Sequence, residues 1–189
     1  QTDHDGAPFR VQLQGCIISE LQVTAGKVFA CDRNYSADQD SPNVTSQAAE
    51  SPISTFFVGY RDGSGGGTVA TASVVDSTKY DDGTGTPATM PDGYWVTHRI
   101  FRSTTASGTT LLIYGQEIHK GRTEALTKIQ SEAYDQPPGA EQLILRGFLT
   151  VKKGAAGLQD VSTSIFTPAD KFGSHPENRV SNGFSLAVP

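Results

Sequence analysis

The stretch that decides the fold runs from residue 94 to residue 173, where strand-like segments surround a single helical one. In order it contains YWVTHRIF (94–101), TTLLIYGQEIHKG (109–121), RTEALTKIQSEAY (122–134), QLILRGFLTVKKGAAGLQD (142–160) and IFTPADKFG (165–173). Short runs of β-branched and aromatic residues between Gly- and Ser-rich turns are typical of strands. The stretch therefore predicts a β-rich domain with one helix, and no catalytic motif interrupts it.

Two hairpins follow from the same pattern. We predict one between residues 53–61 and 68–75, around the turn DGSGGG, and a second between residues 94–102 and 109–114. The fold class expected for the chain is mainly β: an antiparallel β-sandwich or barrel-like module with one short helix.

The helix is predicted at about residues 123–134. Thr123 is a suitable N-cap, and a Pro-Pro pair after Tyr134 ends the segment. Leu126 and Ile129 lie on one apolar face, and so short a helix is stable only when that face packs on the sheet.

Residues 142–152 form the clearest strand. Leu143, Leu145, Leu149 and Val151 are predicted to share one face, while Phe148 makes the other face apolar as well. A strand that is apolar on both faces belongs in the middle of a sandwich or at a subunit interface. We therefore predict a self-association interface at this strand and the helix face: Leu143, Leu145, Leu149, Val151, Leu126 and Ile129.

The first third of the chain is harder to interpret. Cys16 and Cys31 flank two apolar runs around a turn at residues 24–26, which predicts a hairpin whose geometry favours unpaired thiols over a disulfide bridge. Residues 32–52 are polar and aperiodic and are predicted to form a long exposed loop. These patterns predict three regions: an N-terminal hairpin and loop (1–52), the main β-rich module (53–173) and an irregular C-terminal arm (174–189).

Composition argues against several classes of function. The 189 residues carry a net charge of −5, and their basic residues are scattered, which disfavours nucleic-acid binding. The chain contains no apolar run long enough to predict membrane insertion. Neither a cofactor nor a metal is predicted, since only the distant His98 and His119 suggest a ligand pair; we expect His98 to be partly exposed.

The sequence does not predict an enzyme. The glycine run at residues 63–67 is followed by a strand-like segment, whereas a phosphate-binding loop needs a helix there. The carboxylates show no spacing that selects a glycosidase pair, and the loop aspartates are predicted to be solvated.

Aromatic residues suggest a possible binding surface. Sugars stack on exposed ring faces, so Tyr60, Tyr94, Trp95 and Tyr114 are candidate glycan-binding residues. The alternative is that the larger rings belong to the core.

Several short sequence motifs in the second half of the chain follow one another in a recognisable order. They are Trp95-Val96 with Arg99-Ile100-Phe101, Leu112-Ile113-Tyr114-Gly115-Gln116, Glu124-Ala125-Leu126 with Ile129-Gln130 and Glu132, the run from Leu145 to Ala155, and Lys171-Phe172-Gly173. Upstream, TFFVGYRDGSGGGTVAT (55–71) adds a strand, an Asp-Gly turn and a second strand. This order resembles a module of tailed-bacteriophage tail-fibre and tail-spike proteins.

The resemblance implies a non-enzymatic virion structural protein, usually a homotrimer, that functions in fibre assembly or host attachment. The partners it implies are other virion proteins and a host surface glycan or protein receptor. It also implies assembly in the reducing cytoplasm of a bacterial host, which agrees with unpaired Cys16 and Cys31. A carbohydrate-binding module and a capsid decoration or collar protein remain alternatives.

Overall fold

Strands dominate the regular structure in this computed structural model, which describes residues 21–29, 44–105, 107–136, 140 and 143–169. In chain order the elements are β1 (Gly26–Phe29), β2 (Val44–Gln47), β3 (Phe56–Arg61), β4 (Gly67–Ala72), β5 (Lys79–Tyr80), β6 (Ala88–Thr89), β7 (Trp95–Arg102), β8 (Thr110–Ile113), β9 (Ile118–His119), α1 (Arg122–Lys128), β10 (Ile144–Lys152) and β11 (Ser164–Pro168). The prediction of a mainly β protein with one short helix is confirmed.

Seven strands form the main sheet. Their order is β11-β10-β7-β8-β3-β4, and β9 pairs with the start of β7. Both predicted hairpins are present, as β3–β4 and β7–β8. The sheet departs from a purely antiparallel one at β3 and β8, which are parallel because the chain returns to β3 through a long connection.

A smaller ribbon precedes the main sheet. β1 pairs antiparallel with β2, so part of the predicted exposed loop at residues 32–52 is a strand instead. The same pairing continues beyond both strands, where the backbones of Val23 and Glu50 exchange two hydrogen bonds of 2.9 Å. Further along, the Ile53 N–H donates to the Leu21 carbonyl oxygen at 2.8 Å.

This continuous pairing shows that the hairpin predicted around residues 24–26 is wrong. The described parts of the two segments that were expected to pair with each other, residues 21–23 and 26–29, both pair with residues 44–53 instead. Leu21 and Val23 are thereby buried against the main sheet, so burial of apolar surface rather than the local turn sets the pairing. Cys16, Cys31 and the predicted arm at residues 174–189 lie outside the described residues.

The main sheet has an apolar core on each face. The ribbon-side core, on the face covered by the β1–β2 ribbon, comprises Leu21, Val23, Ile53, Phe56, Val58, Val75, Met90, Val96, Ile100, Leu112, Tyr114, Leu149, Val151 and Leu158. The helix-side core comprises Phe101, Ile113, Ile129, Tyr134, Ala140, Leu145 and Phe148.

A β-bulge divides β10 between these cores. Its register against β7 shifts by one residue between Leu145 and Gly147. Because side chains alternate along a strand, the extra residue reverses which positions face which side. Leu145 and Phe148 therefore face the helix-side core, whereas Leu149 and Val151 face the ribbon-side core. The prediction that Leu145, Leu149 and Val151 share one face is wrong for this reason.

The helix is shorter than predicted and begins earlier. Its N-cap is Gly121 rather than Thr123, and the cap makes no side-chain hydrogen bond. Instead, the Glu124 carboxylate reaches back to accept a 3.2 Å hydrogen bond from the Lys120 N–H. Ala125 is fully buried, which confirms that the helix packs on the sheet.

The helix ends at Lys128, with Ile129 as its C-cap, instead of continuing to Tyr134. The Lys128 carbonyl oxygen accepts from the N–H groups of both Ser131 and Glu132, at 2.9 and 2.8 Å, which closes a turn. That turn directs Glu132 and Tyr134 into the interior, where both are buried. In the part of the chain that the structure describes, no helix has the length and apolarity needed to cross a membrane.

Gly115 offers a test of how closely the backbone packs beside β7. A Cβ atom there would overlap the Thr97 carbonyl oxygen and the Val96 side chain. We expect Gly115→Ala to lower the free energy of unfolding by about 1–3 kcal/mol, measured by urea denaturation. Gly157→Ala is the matched control, since a Cβ at Gly157 meets no atom within 4 Å. Equal losses in the two variants would contradict the close approach at Gly115.

Candidate functional site: buried charges around β7

β7 is buried along its whole length although three of its eight side chains are ionisable. His98, Arg99 and Arg102 are exposed by 0%, 1% and 3% respectively. By strand alternation, His98 and Arg102 face the ribbon-side core and Arg99 faces the helix-side core. An unpaired charge is too costly to bury, so each side of the sheet must supply partners.

On the helix side, Arg99 belongs to a group that we call the Glu132 cluster: Arg99, His119, Glu132 and Tyr134. Arg99 Nη1 lies 3.5 Å from Glu132 Oε1, and the guanidinium carbon lies 3.6 Å from the centroid of the Tyr134 ring. His119 Nε2 is 3.7 Å from the second Glu132 oxygen. Ion pairing and a cation–π contact thus hold the cluster together inside the protein.

Three elements build this cluster. Arg99 comes from β7, and His119 comes from β9, which is held beside β7 by the pairing of His119 with Trp95. Glu132 and Tyr134 come from the turn after α1. The short helix therefore positions the turn that places the Glu132 carboxylate and the Tyr134 ring against the buried Arg99 guanidinium.

Burial dominates the electrostatics of the cluster. It raises the pKa of Glu132 above its ordinary value, and the attraction of Arg99 and His119 opposes this only in part. The nearby Glu117 carboxylate raises the pKa of Glu132 further. Glu124 also approaches from α1, with a carboxylate oxygen 3.9 Å from His119 Nδ1.

His98 is held neutral on the opposite face. Its Nδ1 accepts a 3.0 Å hydrogen bond from the Gly115 N–H, so the ring proton resides on Nε2. Complete burial lowers the pKa of His98 to about 3. The expectation that His98 is partly exposed is therefore wrong, because Tyr114 and the ribbon-side core enclose it; the Tyr114 ring lies edge-on at 5.3 Å.

Arg102 links the β1–β2 ribbon to the main sheet. Its guanidinium donates to Gln47 Oε1 at 3.2 Å, to Thr110 Oγ1 at 2.7 Å and to Glu50 Oε1 at 2.6 Å. Gln47 in turn donates to the carbonyl oxygens of Ser103 and Thr105 at 2.8 and 2.7 Å. The ribbon is thus fixed by directional polar bonds as well as by apolar contact.

A third charged group lies at the far end of β3. Arg61 donates from its backbone N–H and from Nε to Asp81 Oδ2, both at 3.0 Å, and from Nη2 to the Asp81 carbonyl oxygen at 3.1 Å. Its Nη1 lies 3.3 Å from the exposed Asp135 carboxylate. Asp81 is buried, so the expectation that the loop aspartates are solvated is wrong for this acid, which is a structural partner of Arg61.

Four loop aspartates share one local arrangement. In each, the carboxylate accepts from both the backbone N–H and the hydroxyl of a Ser or Thr two residues later; the pairs are Asp62–Ser64, Asp76–Thr78, Asp82–Thr84 and Asp160–Ser162. These bonds lower the pKa values of Asp62, Asp82 and Asp160. The carboxylates therefore stabilise their own turns.

The four candidate glycan-binding aromatics are not brought together. Tyr60 and Tyr114 lie on the ribbon side with ring centroids 6.5 Å apart, and burial raises the pKa of Tyr114 to about 12. Trp95 lies on the opposite face by strand alternation, and Tyr94 lies in the turn before β7. Trp95 and Tyr114 are both 6% exposed, so neither presents a ring face to solvent.

The residues predicted to form a subunit interface lie inside this single chain. Leu145, Leu149, Val151 and Ile129 are buried, and Leu126 and Leu143 are half-buried against the helix-side core. Both apolar faces of β10 are therefore covered by the chain itself. Within the described residues, the interior of one chain therefore already accounts for the apolar pattern that suggested a partner.

No described group of three or more His, Cys, Asp or Glu side chains is arranged to hold a metal ion. His98 and His119 lie on opposite faces of the sheet and do not converge. A small apolar gap lies near Ile53 and Arg102, and a shallow depression lined by both polar and apolar residues lies near Val161 and Phe166. Neither reaches the Glu132 cluster.

The buried charges around β7 therefore contact one another and their neighbours inside the described part of the chain. Comparison of the chain with protein-family models, with curated proteins and with solved structures finds no significant match.

Arg102 tests the polar attachment of the ribbon. A lysine ammonium cannot reproduce three bonds in the fixed directions of a guanidinium. We expect Arg102→Lys to lower the free energy of unfolding by about 1–3 kcal/mol and to speed amide exchange in β1 and β2. Arg122→Lys, at an exposed position, is the control for the same chemical change. Equal unfolding free energies and exchange rates in the two variants would refute this role.

The raised pKa of Glu132 predicts a pH dependence. The fold favours the neutral acid, so the contribution of Glu132 is fully present below its unfolded-state pKa and is lost as pH rises through the folded-state pKa. Glu132→Gln removes this titration. We expect the unfolding free energy of the variant, relative to wild type, to increase between pH 4 and pH 8, measured by urea denaturation. A difference that is constant or falls with pH would contradict the prediction.

Proposed function

We propose that this chain is a non-enzymatic structural module of a bacteriophage virion, a tail-fibre or tail-spike component that serves in assembly and host attachment. The observation that carries the non-enzymatic part is the burial of His98, Arg99, His119 and Glu132, each at most 3% exposed. The two imidazoles and the carboxylate are of the types that serve acid–base chemistry, yet their burial keeps a substrate from reaching them. Their contacts instead connect β7, β9 and the turn after α1.

The virion assignment rests on the resemblance of residues 53–173 to tail-fibre modules. The β-rich fold agrees with it, since such modules are built from paired strands. The two hairpins and the single helix lie in the same order as the phrases that carry the resemblance. Residues 21–29 and 44–50 add a ribbon that the resemblance does not include.

Burial of the predicted interface residues favours other surfaces for the homotrimer that the resemblance implies. Leu149 and Val151 are completely buried, so exposing them to a partner would mean opening the ribbon-side core. The edge of the sheet and its loops are exposed surfaces that an assembly could use without opening this core.

A carbohydrate-binding module is the less favoured alternative. Sugar stacking needs exposed ring faces in one plane, whereas Trp95 and Tyr114 are buried on opposite faces of the sheet. Tyr60 and Tyr94 are half-buried and remain the two aromatics of this set with accessible surface. No described feature favours this alternative over a structural role.

The virion proposal predicts that this chain is a stoichiometric part of the particle. The test is quantitative mass spectrometry of gradient-purified virions of the phage that encodes the chain. Cryo-electron microscopy of the same particles would separate a tail position from a capsid decoration or collar position.

The control is the same lysate after particles have been removed. Peptides of this chain should fall in that fraction and rise in the particle band together with known structural proteins. Abundance in the cleared lysate with none in the band would rule out the virion role. Release of reducing sugar from host capsule by the purified protein would overturn the non-enzymatic assignment.

A further inference from the structure

β4 forms one edge of the main sheet, and no described strand covers its outer side. The turn before β4 shows which of its residues bond to β3, because the Asp62 N–H there donates to the Gly66 carbonyl oxygen at 3.1 Å. In an antiparallel pair, residues two positions apart repeat that orientation. Thr68, Ala70 and Ala72 therefore bond to β3, while the backbone groups of Gly67, Val69 and Thr71 point outward.

The side chains of β4 leave this edge accessible. Four of its six residues are exposed, and Val69 is exposed by 56%. The sequence carries no charged residue from Gly63 to Val75 and no proline in the same stretch. Exposed edges in natural sheets are ordinarily protected by charges, prolines or bulges, because free backbone groups pair with other strands.

The opposite edge of the sheet is protected. Two bonds set the orientation of β11 against β10: the Lys152 N–H donates to the Thr163 carbonyl oxygen, and the Ala169 N–H donates to the Arg146 carbonyl oxygen. By alternation from these positions, the backbone groups of Ser164, Phe166 and Pro168 point outward. The Ser164 N–H already donates to the Asp160 carbonyl oxygen at 2.8 Å, and proline has no N–H. Phe166 is thus the one residue of β11 with an outward N–H left to offer.

We propose that β4 pairs with β4 of a second copy of this chain, antiparallel about a two-fold axis at Val69. In that register Val69 lies opposite Val69 and each Gly67 lies opposite Thr71. Every outward-facing residue then meets an outward-facing residue, with two hydrogen bonds at each of these pairs. If one strand is shifted by two residues in either direction, outward-facing residues still meet, but Gly67, Val69 and Thr71 no longer all pair with one another.

A second copy is the occupant that the observations favour. Two uncharged strands meet without burying an unpaired charge, whereas a charged partner strand would leave its charge beside Val69 and the half-exposed Phe57. Pairing of β4 with β11 of the next copy would form an open chain or ring, but β11 offers too few donors to satisfy the edge. The dimer does not depend on the proposed virion function.

The register is tested by cross-linking. In a Cys16→Ser, Cys31→Ser background, Val69→Cys places two thiols across the two-fold axis at a Cα separation of about 5.5 Å, within disulfide range. We expect mild oxidation to give a covalent dimer of this variant. Thr71→Cys is the matched control, since Thr71 lies opposite Gly67 and should not cross-link. The Gly67→Cys, Thr71→Cys double variant should cross-link again.

The backbone bonds are tested by proline. Val69→Pro removes an N–H that points away from β3, so the folded monomer should persist while the dissociation constant rises by at least about tenfold. Val69→Thr keeps the N–H and should dimerise like wild type. Association is measured by analytical ultracentrifugation and folding by circular dichroism.

Several outcomes would overturn the proposal. These are a monomeric wild type at about 100 μM, a mass that Val69→Pro leaves unchanged, or equal cross-linking of Val69→Cys and Thr71→Cys. If Val69→Pro does not fold, the cross-linking series decides alone, because it leaves every backbone bond in place.

Discussion

Burial of two guanidinium groups from one strand, on opposite faces of one sheet, is the constraint on which the rest of the structure depends. Arg99 and Arg102 are three residues apart in β7, so alternation sends them to different cores. A buried guanidinium without acceptors would cost several kcal/mol, which is a large part of the free energy by which a domain is stable. On the helix side Arg99 lies beside the Glu132 carboxylate, and on the ribbon side Arg102 donates hydrogen bonds to Gln47, Glu50 and Thr110.

This requirement explains two features that local sequence patterns do not. Helical periodicity continues toward Tyr134, yet the helix ends at Lys128 because the following turn must bring Glu132 over Arg99. Residues 45–47 are polar and suggest a loop, yet they belong to β2, where Gln47 bonds both to Arg102 and to the turn after β7. In each case a long-range polar contact outweighs a local preference of a few tenths of a kcal/mol per residue.

The sequence therefore predicts the elements well and their surroundings poorly. Alternating and β-branched runs locate β3, β4, β7, β8 and β10, because strand formation leaves a local imprint of period two. The bulge in β10 has no such imprint, and it reverses the face on which Leu149 and Val151 lie. Arginines within an apolar strand, as in THRIFR, are the one signal that could have indicated a buried ionic site. Their acid partners come from distant segments and cannot be read from spacing.

Because the charged groups around β7 are buried, contacts with other molecules are expected at the exposed edge and loops of the sheet. The charges that stabilise the fold are already paired, and the loop aspartates are bound within their own turns, so ligand binding at these groups would first have to break native bonds. The loops between strands are accordingly pre-ordered and lose little entropy on contact with a partner. The outer side of β4 differs from both, because its backbone groups are unpaired among the described strands and its side chains are uncharged. Association there adds hydrogen bonds without disturbing either core, which makes the edge the part of this module best suited to assembly.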